Sequence, residues 1–308
     1  MDRVSAHICG RFPGNTVAQE YYGTLWREYD AAGLADTTFV DAIASGDDGR
    51  FWQRVWEMLL ARHLCAQGRR LTSADHGPDF RFEAGGKVVW CEAICPEPVG
   101  IPAECLRVPS AGEFRVVTVP AEAMLLRWTA AIKEKREKLE GRNGRNRRTG
   151  VAELVPGYRQ QGIVADDECY VIAVNGSRLS AFGMWEAAST LPIILQAVLP
   201  IGPIQVPVRG DRIVTEEARH SYRASVPSRN GSPVPTDSFL DPSYAGVSAV
   251  MGSVRSDEFN GGLDIVVVHN PLARAALPVG VLGAAREYVP HDLGGGEYEF
   301  VPVRAGGG

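Results

Sequence analysis

Gly85-Gly86 lies at the centre of G-P-D-F-R-F-E-A-G-G-K-V-V-W-C-E-A-I (77–94), where apolar and polar residues alternate on both sides. A Gly-Gly pair tolerates the positive φ angles of a two-residue hairpin turn, so the flanks are expected to form two antiparallel strands. A turn centred there sets Phe80 opposite Cys91 and Asp79 opposite Glu92. With period-two alternation, one face carries Phe80, Phe82, Val89, Cys91 and Ala93, and the other carries Asp79, Arg81, Glu83, Trp90 and Glu92. The first face is expected to be core and the second chemical. Like charges directly opposite on a sheet destabilise it by about 0.2–1 kcal/mol. The Asp79 and Glu92 carboxylates therefore call for a counter-charge, and hard oxygen ligands favour Mg²⁺ or Mn²⁺.

The chain of 308 residues, 45% hydrophobic, is long enough to bury a large core. It contains no run of about 18 apolar residues, and its start, M-D-R-V-S-A-H-I-C-G, lacks the apolar centre of a signal peptide. A soluble, cytoplasmic protein with no membrane partner is expected. The six cysteines are scattered without C-x-x-C spacing, which points to reduced thiols. The net charge of −5 gives no global nucleic-acid signature, yet residues 133–148 hold eight Lys or Arg against three Glu. Such a strip can follow a phosphate backbone, or it can be a solvated helix end whose glutamates pair with neighbouring lysines.

Residues 51–67 have helical periodicity, with Phe51, Trp52, Val55 and Leu59 on one stripe and Gly68 as the stop. After the hairpin and a Pro-rich connection, a second helix is expected over 121–140, ended by the loop G-R-N-G-R-N-R-R-T-G. C-Y-V-I-A-V-N-G (169–176) reads as a buried strand, and M-W-E-A-A-S-T-L-P-I-I-L-Q-A-V-L (184–199) as an apolar helix interrupted at Pro192. V-S-A-V-M-G-S-V and L-D-I-V-V-V-H-N are the clearest strands of the last third. The expected organisation is an N-terminal extension (1–48), a core (49–200) and a β-rich extension (201–308) that completes the same domain.

The order helix, hairpin with Asp then Glu, helix, strand resembles the PD-(D/E)XK nuclease superfamily, and Pro78-Asp79 and Glu92 carry the resemblance. More narrowly, W-E at 56–57, G-P-D-F at 77–80, V-W-C-E-A-I-C-P at 89–96, V-I-A-V-N-G at 171–176 and V-H-N-P-L-A at 268–273 are similar to a group of bacterial members. The resemblance implies an α/β fold with a restriction-endonuclease-like αβββαβ core, its central mixed sheet flanked by helices. It also implies Mg²⁺- or Mn²⁺-dependent hydrolysis of phosphodiesters in DNA or RNA. Asp79 and Glu92 would be metal ligands, with the carbonyl of Ala93 completing the set and Glu57 on the first helix as a further ligand. On a helical wheel, however, Glu57 lies opposite the Trp52, Val55, Leu59 stripe and should face solvent unless that helix packs on two sides.

One departure matters. The superfamily lysine two residues beyond the glutamate, which orients the attacking water, is replaced by Ile94. Either catalysis has been lost, leaving a module that binds nucleic acid or protein, or a basic group arrives from a neighbouring element, as it does in some members. At about 100° per residue, Leu125, Trp128, Ile132 and Leu139 form one stripe of the second helix, with Lys135 at its edge. Lys135 is thus expected to point toward the sheet and act as the displaced catalytic lysine. Arg127 and Lys138 lie on the flank beyond it and are expected to be phosphate contacts or solvent-facing charges, with Arg142, Arg145, Arg147 and Arg148 as further candidates for phosphate contact.

Overall fold

The computed structural model describes residues 1–73, 76–110, 112–145, 152–181, 191–258, 262–295 and 297–304. The chain starts with helices α1 (Arg3–Arg11), α2 (Thr16–Ala31), α3 (Thr37–Ile43) and α4 (Asp48–Ala66). Asp2, Asn15, Asp36 and Asp47 cap them in turn, each side chain accepting a hydrogen bond from an N–H that has no partner inside its helix. Helix α4 is the pivot of this layer, in contact with α2 and α3 on one side and the sheet on the other. Phe51, Val55, Trp56, Met58, Leu59 and Leu60 are all buried, so its apolar surface exceeds the single stripe visible in its period.

The central sheet has seven strands whose spatial order is their chain order: β1 (Phe80–Ala84), β2 (Lys87–Ile94), β3 (Cys169–Asn175), β4 (Ala249–Ser253), β5 (Val266–His269), β6 (Arg286–Gly294) and β7 (Glu297–Arg304). Strands β1 and β2 form the antiparallel hairpin with Phe80 opposite Cys91, and Gly85 and Gly86 take φ of 57° and 72° at its turn. Strand β3 runs parallel to β2, which requires a long crossover. The crossover contains helix α5 (Ala121–Glu140). Strand β4 is parallel to β3 and antiparallel to β5, β6 is parallel to β5, and β7 closes the edge antiparallel to β6. The sheet is mixed, with helices on both faces, and the C-terminal strands extend the same sheet as the hairpin.

Both faces of the hairpin are covered, which corrects the division into one core face and one chemical face. Phe80, Phe82, Val89, Cys91 and Ala93 pack toward α1–α4. Trp90 and Ile94 join Tyr170, Ile172, Val174 and the apolar side of α5 in a second core. That core also holds helix α6 (Ile193–Val198). Trp128 fixes how α5 lies on the sheet. A Cβ added at Gly176 or Gly252 would come within 2.7 Å or 2.8 Å of its indole ring, so the two glycines let the ring approach the strand backbone.

Other expectations need adjustment. Where the expected core has a third strand before the crossover helix, the described residues form one isolated bridge, Thr72 to Arg81, so the described core is αββαβ rather than αβββαβ. Part of the expected basic loop is ordered as a ribbon, with Arg142–Arg145 antiparallel to Ala152–Val155. Of the expected helix over 184–199, the part after Pro192 forms α6, Ile193–Val198, and the part at 184–190 lies outside the described residues. All six cysteines are free thiols. Among the described residues no helix is long and apolar enough to cross a membrane.

Candidate active site

Asp79 immediately precedes β1, at the open end of the hairpin. Its Oδ2 accepts a hydrogen bond from the Ala93 N–H at 2.7 Å, which ties the carboxylate to the opposite strand and turns it inward. Glu92, on β2, is 1% exposed. Its partners come from α5 and the segment after it. Lys135 Nζ lies 2.8 Å and Lys138 Nζ 2.9 Å from the same oxygen, Oε1. Residues three apart on a helix are neighbours on its surface, so one carboxylate can engage both. Tyr158 donates its hydroxyl to Oε2 at 3.3 Å.

Helix α4 supplies the other wall. Gln53 Nε2 donates to Glu57 Oε1 at 2.9 Å and to the Ala93 carbonyl at 3.2 Å, while Gln53 Oε1 accepts from the Cys95 N–H at 2.8 Å. Arg54 donates to Glu57 Oε2 at 2.5 Å. Glu57 is 2% exposed, and the expectation of a solvent-facing residue fails because α4 is packed on both sides. Gln53 was missed in the sequence, although its position one turn before Glu57 places the two on one face. Tyr158 carries no sequence signal, since it meets Glu92 only through the tertiary fold.

Gln53, Arg54, Glu57, Asp79, Lys135, Lys138 and Arg127 border a cavity of about 500 Å³, while Glu92 lies behind its wall, covered by the two lysines and Tyr158. Ile94, two residues beyond Glu92 on β2, lines it too. Arg127 is held by Nε donation to the Glu97 carbonyl at 2.9 Å. Arg142 is exposed on the ribbon. The side chain of Arg145, and Arg147 and Arg148 entirely, lie outside the described residues.

The electrostatics divide the two hairpin carboxylates. Burial raises the Asp79 pKa, and the charges of Glu57 and Glu92 raise it further, overcoming the opposing effects of Lys135 and the Ala93 N–H; it ends well above the ordinary carboxylate range. Burial also acts to raise Glu92, but Lys135 and then Lys138 outweigh it, and Glu92 titrates below its usual range. Burial would lower Lys135, yet Glu92 and Asp79 prevail and hold it above the ordinary lysine range. Lys135 is therefore an ammonium at neutral pH, suited to donate hydrogen bonds and stabilise negative charge rather than to act as a base. Asp79, by contrast, is an acid short of positive charge.

Among the described residues, no group of three or more His, Cys, Asp or Glu is arranged to hold a metal ion. Comparison of the chain with family models, curated proteins and solved structures returned no significant match.

Proposed function

We propose that the protein is a divalent-metal-dependent nuclease that hydrolyses phosphodiester bonds in DNA or RNA. The observation that carries this reading is Lys135, which reaches Glu92 from the crossover helix at 2.8 Å and so supplies an ammonium where Ile94 cannot. It lines one cavity with Asp79 and is bonded to the buried Glu92 behind it, the grouping the superfamily resemblance implies.

The donor set suits a hard cation. Asp79 is buried with raised affinity for a proton, and the same excess of negative charge would favour Mg²⁺ or Mn²⁺. Asp79 and Glu92 would hold the ion, together with the Ala93 carbonyl, which retains a second lone pair beside its bond to Gln53. When bound, such an ion lowers the pKa of a coordinated water and stabilises charge on the phosphate. The Ala93 N–H fixes Asp79 through Oδ2 and leaves Oδ1 for a ligand. Gln53 and Arg54 hold Glu57 away from a mobile role, while its charge adds to the field on Asp79. Lys135 orients the attacking water by donation and offsets charge developing on the phosphate.

Cleavage of DNA and RNA in Mg²⁺ or Mn²⁺ tests the reading. Asp79→Asn and Lys135→Met are each expected to lower the rate by about 100-fold or more. Ca²⁺ or Mn²⁺ should raise the melting temperature of the native protein but not of Asp79→Asn. Cleavage that persists in the Asp79→Asn, Glu92→Gln double variant refutes the reading. Binding of nucleic acid without cleavage or metal stabilisation would instead mark a nuclease-like binding module.

A further inference from the structure

Beside the active-site cavity lies a second hollow of about 830 Å³, and Arg127 lines both. Its walls come from three separate parts of the chain: the connection after β2, the first turns of α5, and the tip of the ribbon formed by Ser225–Pro227 and Pro233–Pro235. Ile101, Pro102, Leu126 and Pro227 make the walls largely apolar, and Arg127 and Arg229 outnumber the one acidic wall residue, Glu122, leaving a net positive charge. Arg229 is exposed on a turn closed by Ser228 N–H to Ser232 O at 2.8 Å and Gly231 N–H to Ser228 O at 2.8 Å. Among the described residues Arg127 is tethered through Nε, to the Glu97 carbonyl, which leaves its terminal N–H groups for a phosphate.

An apolar hollow of this size, flanked by arginines and sharing Arg127 with the proposed phosphodiester site, suits one nucleotide with its base out of the stack. Bases in a duplex are paired and stacked, and their edges would leave the hollow unfilled. An unpaired base can lie against Ile101, Pro102 and Leu126, while its phosphates meet Arg127 and Arg229.

We propose that this groove is a subsite for an unpaired nucleotide next to the scissile phosphate, and that the substrate is single-stranded or frayed nucleic acid. The inference rests on the nuclease reading. Charge complementarity and the residue shared with the active site select this occupant over an apolar partner segment.

Binding of fluorescein-labelled oligonucleotides of about 12 nucleotides, single-stranded and duplex, DNA and RNA, to Asp79→Asn protein tests it by anisotropy. Single strands of DNA, RNA or both are expected to bind about tenfold or more tighter than the matching duplex. Arg229→Glu and Leu126→Glu, introduced into the same protein, should each weaken single-strand binding by about tenfold. Arg229 lies on an exposed turn, so its variant keeps the test decisive should Leu126→Glu fail to fold. Equal affinity for duplex and single strand, or no effect of Arg229→Glu, overturns the subsite; Asp79-dependent cleavage of duplex by the unmodified protein would still leave the nuclease reading standing. If no nucleic acid is bound and the unmodified protein cleaves none, both fall.

Discussion

Lys135→Met isolates the interaction on which the active-site reading depends. The Lys135 and Glu92 side chains are 7% and 2% exposed, with 2.8 Å between Nζ and Oε1. For charge centres about 4 Å apart, an effective dielectric near 20 gives an attraction of about 4 kcal/mol. Removing one member of a buried pair typically costs about 3–5 kcal/mol, because the other charge is left without compensation. Here Lys138 remains on the same oxygen, but its side chain is 46% exposed and solvent screens it, so it offsets only part of the loss. The expected cost is about 2–4 kcal/mol. In the Glu92→Met, Lys135→Met double variant both buried charges are gone, and stability should return to within about 1 kcal/mol of the native protein. Urea unfolding at neutral pH with EDTA, followed by tryptophan fluorescence, measures all corners of the cycle. A loss below about 1 kcal/mol for Lys135→Met, or a double variant as unstable as the two single losses added, would refute the argument.

The pH dependence separates the two carboxylates by sign. Asp79 has its folded pKa above the unfolded value of 3.8, so the native state binds the proton more tightly and loses stability as pH rises from there toward the folded pKa. In EDTA, Asp79→Asn should therefore be more stable than the native protein at pH 7, by about 1–3 kcal/mol, with the gain vanishing below pH 3.8. Glu92 is the reverse: its contribution is present above the unfolded value of 4.5 and is lost as pH falls through the depressed folded pKa, so Glu92→Gln should flatten the acid limb of the stability profile. Gly252→Ala would drive a Cβ into the Trp128 ring and is expected to cost about 1–3 kcal/mol in urea unfolding. Gln53→Ala frees Glu57 and the Ala93 carbonyl together and should lower affinity for Mn²⁺ by about tenfold in titration calorimetry, with a smaller effect on stability.

The hairpin, its register and the direction of Lys135 were legible in the sequence because each depends on local period: two for strands, 3.6 for helices, and a glycine pair for the turn. The Ala121–Glu140 helix has the span its periodicity predicts. Glu57 was misread for the same reason. A single stripe predicts a single buried face, whereas α4 is enclosed by helices on one side and the sheet on the other. Lys138 was expected to meet phosphate or solvent, yet it joins Lys135 on Glu92, because α5 is seated by Trp128 against glycines far away in sequence. Asn270 accepts from the Leu272 N–H as a local turn cap, whereas His269 forms a buried pair with Glu287 at 2.6 Å that only the pairing of β5 with β6 creates. By itself, then, the sequence determined which side chains share a face and where chain reversals occur. Only the tertiary structure decided which faces meet, that Tyr158 closes on a glutamate 66 residues earlier, and that Asp79 is the carboxylate left short of positive charge. The physical reason is that burial and Coulomb interaction depend on distance through space, and the chain's own periodicities record distance only along each element.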